Sequence, residues 1–371
     1  MILENSTLTE KILLACGQDA GLENADIEEL EICRKQVLAD PALMEAFSSL
    51  FDELFYGEKF DPQIFTELDE FSCRFRLLLA LNMIPRIKEV FQKNSWSEKA
   101  MSDTMGDVGV WARHCRKNFG FCGLHKWGTC NWLIGHSKGR LIQLGRLQFN
   151  LDAEYRHPAA VFRNRLTGEV IALAANGTAF AQDGLLATSK ENTAWEAVFT
   201  QNETAVSGNP ITPAGLGENR LVTLPLDQWY QALKPGDKVI NFHIPETGPM
   251  TVEACCDSIE QAVKFFAEYY PDYPWKAFYV SSWFTDPVYE KYLPEYSNIM
   301  KFHTAGYLLP EDEAADPLVR VFPGRTPAPG GSSLQNAIFR MIEDKVIFRR
   351  ATLFLLKEDL PWRENVYRKG R

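Results

Sequence analysis

Residues 236–266, GDKVINFHIPETGPMTVEACCDSIEQAVKFF, followed by residues 275–284, WKAFYVSSWF, decide the fold. The first run predicts a buried strand over residues 239–244 and a loop closed by Pro245, Gly248 and Pro249. A helix is expected to start near Thr251, a residue type suited to capping a helix N-terminus. The second run is another apolar strand, ending in Ser281, Ser282 and Trp283. Strand, helix and strand in that order predict parallel neighbours joined by a crossover. Ligands of open α/β sheets bind beyond the carboxyl ends of the strands. Here those ends carry His243, Ser281, Ser282 and Trp283.

Outward from this unit, helix signals dominate the first third of the chain. Thr7 to Glu10 (TLTE) and Ser95 to Glu98 (SWSE) fit capping boxes, and Asp40-Pro41 and Asp61-Pro62 each place a capping acid before a first-turn proline. Met101, Met105, Val108, Trp111, Ala112 and Cys115 recur at helical spacing, as one buried helix face requires. Residues 118–139 hold five glycines and predict a loop with a short helix joining two domains. RLIQLGRLQFNL, residues 140–151, reads as one alternating strand. Hairpins are expected to turn at Thr167-Gly168 and Asp183-Gly184. LDQWYQAL, residues 226–233, reads as a short helix, residues 311–316 and 323–331 as loops, Ser332 or Ser333 as a helix cap, and residues 346–356 as a final strand.

Composition narrows the function classes. A length of 371 residues allows two domains and a large core. Basic residues are scattered among 39 against 49 acids, so neither a nucleic acid nor an anionic membrane surface is the expected partner. The longest apolar run, residues 77–84, contains Asn82 and is too short to span a bilayer. With no basic n-region and long apolar h-region at the start, and eight dilute cysteines, the chain is expected to be cytoplasmic with reduced thiols.

Several groups could carry chemistry, each beside a plainer explanation. The N–H groups and dipole of the helix starting near Thr251 favour an anion, and Gly248 permits close approach; an ordinary strand-to-helix turn has the same pattern. A Walker A lysine and a G-x-G-x-x-G fingerprint are both lacking, which disfavours nucleotide hydrolysis and dinucleotide binding. His243 suits a general base or a core histidine held by backbone. Ser281 and Ser282 suit hydrogen bonding to a ligand carbonyl; without a G-x-S-x-G elbow, a covalent serine is not expected. Trp283 suits a pocket wall or core packing, and Tyr289 and Tyr292 suit proton donation or structure. Arg146 and Gln148, read on one strand face, form either a polar wall of the site or a half-exposed surface. Cys115, Cys122, His125, Cys130 and His136 lack the paired spacing of a zinc site, so no metal is expected.

Five phrases of the chain carry a family resemblance: LGRLQF (144–149), GDKVINFHIP (236–245), GPMTVEACCDSIEQAVKFF (248–266), AFYVSSWF (277–284) and LPEYSNIMKF (293–302). Together they resemble acyltransferase-domain proteins of Gram-positive bacteria, which join a helical N-acyltransferase N-terminal domain to a domain like the GNAT-type N-acetyltransferases. The resemblance implies an α+β chain. A helical domain would occupy residues 1–138 and a GNAT-like mixed α/β domain residues 139–371, with a β-rich insertion at about 156–225. It also implies an acyl-CoA, acetyl-CoA or coenzyme A among them, with the pantetheine arm between two parting strands and the pyrophosphate at the helix start. Ile244, Gly248, Pro249, Met250 and Thr251 would line that seat, although HIPETGPMT departs from the usual Q/R-x-x-G-x-G/A signature.

The implied reaction is direct transfer to a small-molecule amine or hydroxyl acceptor. His243, or a water it holds, would take the acceptor's proton, Ser282 and backbone amides would polarise the thioester carbonyl, and Tyr289 would protonate the leaving thiolate. Arg146, Gln148, Ser281 and Trp283 would line the substrate pocket. Two other classes stay open: a non-catalytic metabolite sensor or scaffold, and a hydrolase using acids of the β insertion such as Asp183 or Glu196.

Overall fold

The computed structural model describes residues 5–368 and, for residues 151 and 152, the backbone alone. The chain divides into two compact units. One runs to Phe149 and takes in Ile244–Thr247; the other takes in Asn150–His243 and everything described from Gly248 onward.

The first unit is helical: α1 (Glu10–Asp19), α2 (Asn24–Ala39), α3 (Pro41–Tyr56), α4 (Glu70–Ala80), α5 (Met83–Lys93), α6 (Glu98–Phe119) and α7 (Trp127–Ser137). β1 (Leu141–Leu144) and the start of β2 (Leu147–Glu154) follow. Asp40 caps α3 ahead of Pro41 as expected. Other caps differ. Thr7 is drawn away from α1, its amide donating to Asn82 Oδ1 and its hydroxyl to the Leu78 carbonyl. Ser97 rather than Ser95 caps α6. Asp61-Pro62 starts no helix; the chain turns at Phe65, φ +50°, whose carbonyl is taken by the buried Arg76 guanidinium. RLIQLGRLQFNL is two strands, because Gly145 at φ +67° supplies the left-handed turn that only glycine makes cheaply.

The second unit is built on a sheet in the order β2-β12-β13-β15-β14. Its strands are β12 (Lys238–His243), β13 (Ala277–Ser282), β14 (Tyr307–Ala314) and β15 (Arg349–Leu356). β12 and β13 are parallel neighbours joined by α8 (Val252–Tyr269), as the opening segment predicts. β15 pairs antiparallel with both β13 and β14. Between β13 and β15 lie 3₁₀ turns at Trp283–Thr285 and Pro287–Lys291 and the helices α9 (Asn298–Thr304), α10 (Leu318–Val321) and α11 (Ser333–Glu343), the last closed by a full capping box at Ser332.

The insertion is β-rich: β3 (Ala160–Asn164), β4 (Val170–Leu173), β5 (Ala179–Phe180), β6 (Trp195–Glu196), β7 (Phe199–Gln201), β8 (Ala205–Gly208), β9 (Pro210–Ile211), β10 (Val222–Pro225) and β11 (Trp229–Leu233). LDQWYQAL, expected helical, contributes β11: β3 offers a partner edge, and Trp229 and Leu233 are buried against it. Residues 311–314, expected as loop, continue β14. Both changes show tertiary pairing overriding local preference. The insertion packs on the sheet through Tyr155, Val161, Ala172, Phe180 and Ile211 against Val239, Ala277, Tyr279, Tyr307 and Phe354.

Candidate functional site

Alternation along a strand puts every second side chain on one face, and the register of β12, β13 and β15 gathers a polar set there. Asn241 lies opposite Tyr279, and Ser281 opposite Thr352. His243 and Glu311 line the same cavity as Asn241, Tyr279 and Ser281, a space of about 890 Å³ within the second unit. The insertion supplies its apolar wall, including Ala159, Ala174, Phe180, Leu186 and Ile211. Small side chains leave that wall wide, while the sheet face supplies the few polar groups that orient a ligand.

The titratable groups of the cavity differ sharply in character. Burial raises the Glu311 carboxyl, and hydroxyl hydrogen bonds from Thr352 and from Ser281, at 2.8 Å, oppose that rise. Burial also pushes His157 down to about 4. Its Nε2–H donates to the Pro310 carbonyl at 3.0 Å and its Nδ1 accepts from the Ala159 amide at 3.1 Å, so the ring is neutral and fully used. Tyr279 is raised by burial. His243 Nε2 lies 3.4 Å from the Asn241 amide nitrogen.

Beside this face the sheet opens. The β12–β13 ladder pairs Ile240 with Phe278 and Asn241 with Tyr279 and goes no further, although the strands run on to His243 and Ser282. The chain then reaches α8, whose Thr251 hydroxyl accepts from the Ala254 amide. The first-turn amides of a helix have no intrahelical acceptor and favour an anion. Gly248 precedes them at φ +146°, with open space where a Cβ would stand. That is a backbone cradle, and Glu253 rather than a cation occupies the helix's first turn.

The loop between His243 and Gly248 is fastened within the first unit. Arg146, in the β1–β2 turn, donates to the Pro245 carbonyl at 2.6 Å and to the Thr247 hydroxyl at 3.3 Å. Glu246 accepts from His114 Nδ1 at 2.7 Å and from Lys117 at 3.0 Å.

The other expected residues take different places. Arg146 and Gln148 share no open wall: Arg146 sits in the turn, and Gln148 is buried, donating to Gln143. Ser282 caps the 3₁₀ turn that follows it by accepting from the Phe284 amide. Trp283 packs beside an apolar cluster that contains Tyr289, and the buried Tyr289 hydroxyl meets no partner. Met250 is buried, and Ile244 belongs with the first unit. Of the spaced thiols and histidines, His136 bridges Asp107 and the Leu141 carbonyl. Among the described residues no group of three or more His, Cys, Asp or Glu is arranged for a metal, and no helix is long and apolar enough to cross a membrane. Sequence reasoning missed Glu311, Asn241 and Tyr279. The alternation in β12 and β13 pointed to the last two, whereas nothing local marked residue 311 as strand.

A parallel crossover, a strand pair that parts beside a helix start, and a polar cavity on the same sheet make up a GNAT-like fold. The chain belongs to the GNAT-like C-terminal domain family, matched over residues 141–352, and residues 15–139 match the N-acyltransferase N-terminal domain. No curated protein sequence matches it. Among solved structures it is similar to a mutant acyltransferase in complex with octanoyl-CoA, with TM-score 0.59 and 19% identity over 93% of this chain and 86% of that one. It is also similar to an acyltransferase in complex with decanoyl-CoA and teicoplanin, with TM-score 0.53 and 18% identity over 93% of this chain and 99% of that one. Such identities show a shared fold.

Proposed function

We propose that the protein is an acyl-CoA-dependent acyltransferase that passes a medium-length acyl group directly to a small-molecule acceptor. The observation that carries this reading is the parting of β12 and β13 next to the start of α8. Where two parallel strands stop pairing with each other, an extended ligand can enter between them and meet backbone N–H and C=O groups, which suits the amides of a pantetheine arm. Gly248, Met250 and Thr251 would seat the pyrophosphate through backbone N–H groups, and Pro249, which has none, would shape the turn between them. The octanoyl- and decanoyl-CoA held by the similar structures favour a medium chain.

The acceptor's N–H or O–H attacks the thioester carbonyl, so that a C–N or C–O bond forms and the C–S bond breaks. Backbone N–H groups of the parted edge stabilise the developing oxyanion. His243, on the cavity face, takes the proton from the attacking atom and returns it to the departing sulfur. It thereby does the work that the sequence divided between His243 and Tyr289.

Octanoyl-CoA, incubated with the protein and a panel of amines and alcohols, tests the reading by thiol release and product mass. Acylated product at a rate above the protein-free control supports it. Octanoyl-CoA that neither binds nor turns over with any acceptor would reject it.

A further inference from the structure

Many cations of the helical unit meet carboxylates. Arg34 meets Glu31 at 2.6 Å, Arg74 meets Glu29 at 2.8 Å and, on α5 itself, Lys88 meets Asp19 at 2.5 Å. Arg86, Lys93 and Lys138 differ: among the described residues no carboxylate pairs with any of them. All three line one pocket of about 300 Å³, where α5 packs on α7 beside Phe55 of α3. Glu89 is the acid in its wall, so three cations against one carboxylate leave two positive charges there. The chain as a whole carries a net charge of −10.

Arg86 is the least expected of the three. It lies in the first turn of α5, where the helix dipole disfavours a cation. Its guanidinium is nevertheless held in place. The central carbon lies 3.9 Å from the centre of the Phe55 ring, and the terminal nitrogens donate to the Asn82 carbonyl at 3.2 Å and to the Tyr56 hydroxyl at 2.9 Å. A guanidinium has more N–H groups than these two bonds use, so donors remain for a ligand. Lys93 ends α5 and Lys138 follows the last residue of α7, both exposed. Helix dipoles account for lysines at those ends. They account neither for Arg86 nor for the convergence of all three cations on one space, which Phe55, Val90 and Ile134 give an apolar wall. Its volume matches the smaller ligand sites of proteins.

We propose that this pocket binds a small phosphate monoester with an apolar body: the phosphate meets Arg86, Lys93 and Lys138, and the body lies against Val90 and Ile134. Such a group carries a charge of about −2 at neutral pH, which matches what the pocket leaves uncompensated. The planar guanidinium suits two phosphate oxygens at once, and the lysines add point charges. The proposal does not rest on the acyltransferase reading, which uses none of these residues.

Phenyl phosphate and phenyl sulfate, matched in shape and differing in charge, test it by calorimetric titration of the wild type and of the double variant Lys93→Gln, Lys138→Gln. Both lysines are exposed, so the variant should fold, which a melting curve verifies. The wild type is expected to bind phenyl phosphate saturably and about threefold or more tighter than phenyl sulfate, the worth of one further charge at a solvent-screened site. Loss of two cations should weaken phenyl phosphate by roughly tenfold. Inorganic phosphate, which lacks the apolar body, should bind the wild type more weakly than phenyl phosphate. Undiminished binding by the folded double variant would put the phosphate elsewhere in the protein and overturn the proposal. So would equal affinity for the phosphate and the sulfate, inorganic phosphate binding as tightly as phenyl phosphate, or no saturable binding by the wild type at millimolar concentrations; these three readings need only the wild type.

Discussion

Glu246→Gln isolates the fastening of the loop that leads into the proposed acyl-CoA seat. The Glu246 carboxylate is held from its ordinary 4.5 down to about 2, chiefly by the hydrogen bond from His114, with Lys117 assisting and burial opposing. At full strength a depression of that size corresponds to ~3 kcal/mol of stability. The Glu246 side chain is 54% exposed, however, although His114 beside it is only 7% exposed. Solvent screening therefore reduces the contribution to ~1 kcal/mol. The sign follows from the depressed value: the contribution is complete above about 4.5 and drains away as pH falls towards about 2. Urea denaturation of wild type and Glu246→Gln across that range should show a difference of ~1 kcal/mol at neutral pH that shrinks steadily in acid. A difference absent at neutral pH, or one that stays constant into acid, would refute the reasoning.

His243→Ala should lower turnover by ~10²–10⁴-fold, the usual worth of a positioned proton carrier, with little change in thermal midpoint; thiol-release kinetics and a melting curve check both, and unchanged turnover would remove His243 from the reaction. Tyr289→Phe should leave turnover unchanged and stability equal or slightly higher, because the buried hydroxyl it removes has no partner. A large fall in turnover would reinstate Tyr289 as the proton donor.

The central unit of the fold was legible because its signals are local and agree. Val239, Ile240 and Phe242 are fully buried, Thr251 caps the next helix, and Ala277–Ser282 follows as a parallel neighbour. His243 and Ser281 were singled out because they lie at the carboxyl ends of their strands, and both line the cavity. Residues whose position depends on distant partners were not legible. Glu311 reaches the cavity only because β14 pairs with β15 and breaks after Pro310. Residues 229–233 are a strand only because β3 is there to pair with. Ser282 was read correctly as a strand end, but its hydroxyl caps the following turn. Tyr289 was chosen by sequence distance, and a 3₁₀ turn carries it into an apolar cluster. Arg146 fell on an imagined strand face because Gly145 reads as harmless inside an apolar run until its φ of +67° is seen.

The most direct test of the acyltransferase account is calorimetric titration with octanoyl-CoA of the wild type and of Gly248→Val. Nothing lies within 4 Å of the position a Cβ would take at Gly248, but its φ of +146° is one that a β-branched residue resists. The account expects saturable binding by the wild type, clearly weakened in a folded Gly248→Val protein, with coenzyme A competing for the same site. Absence of octanoyl-CoA binding by the wild type, or binding indifferent to residue 248, would contradict it.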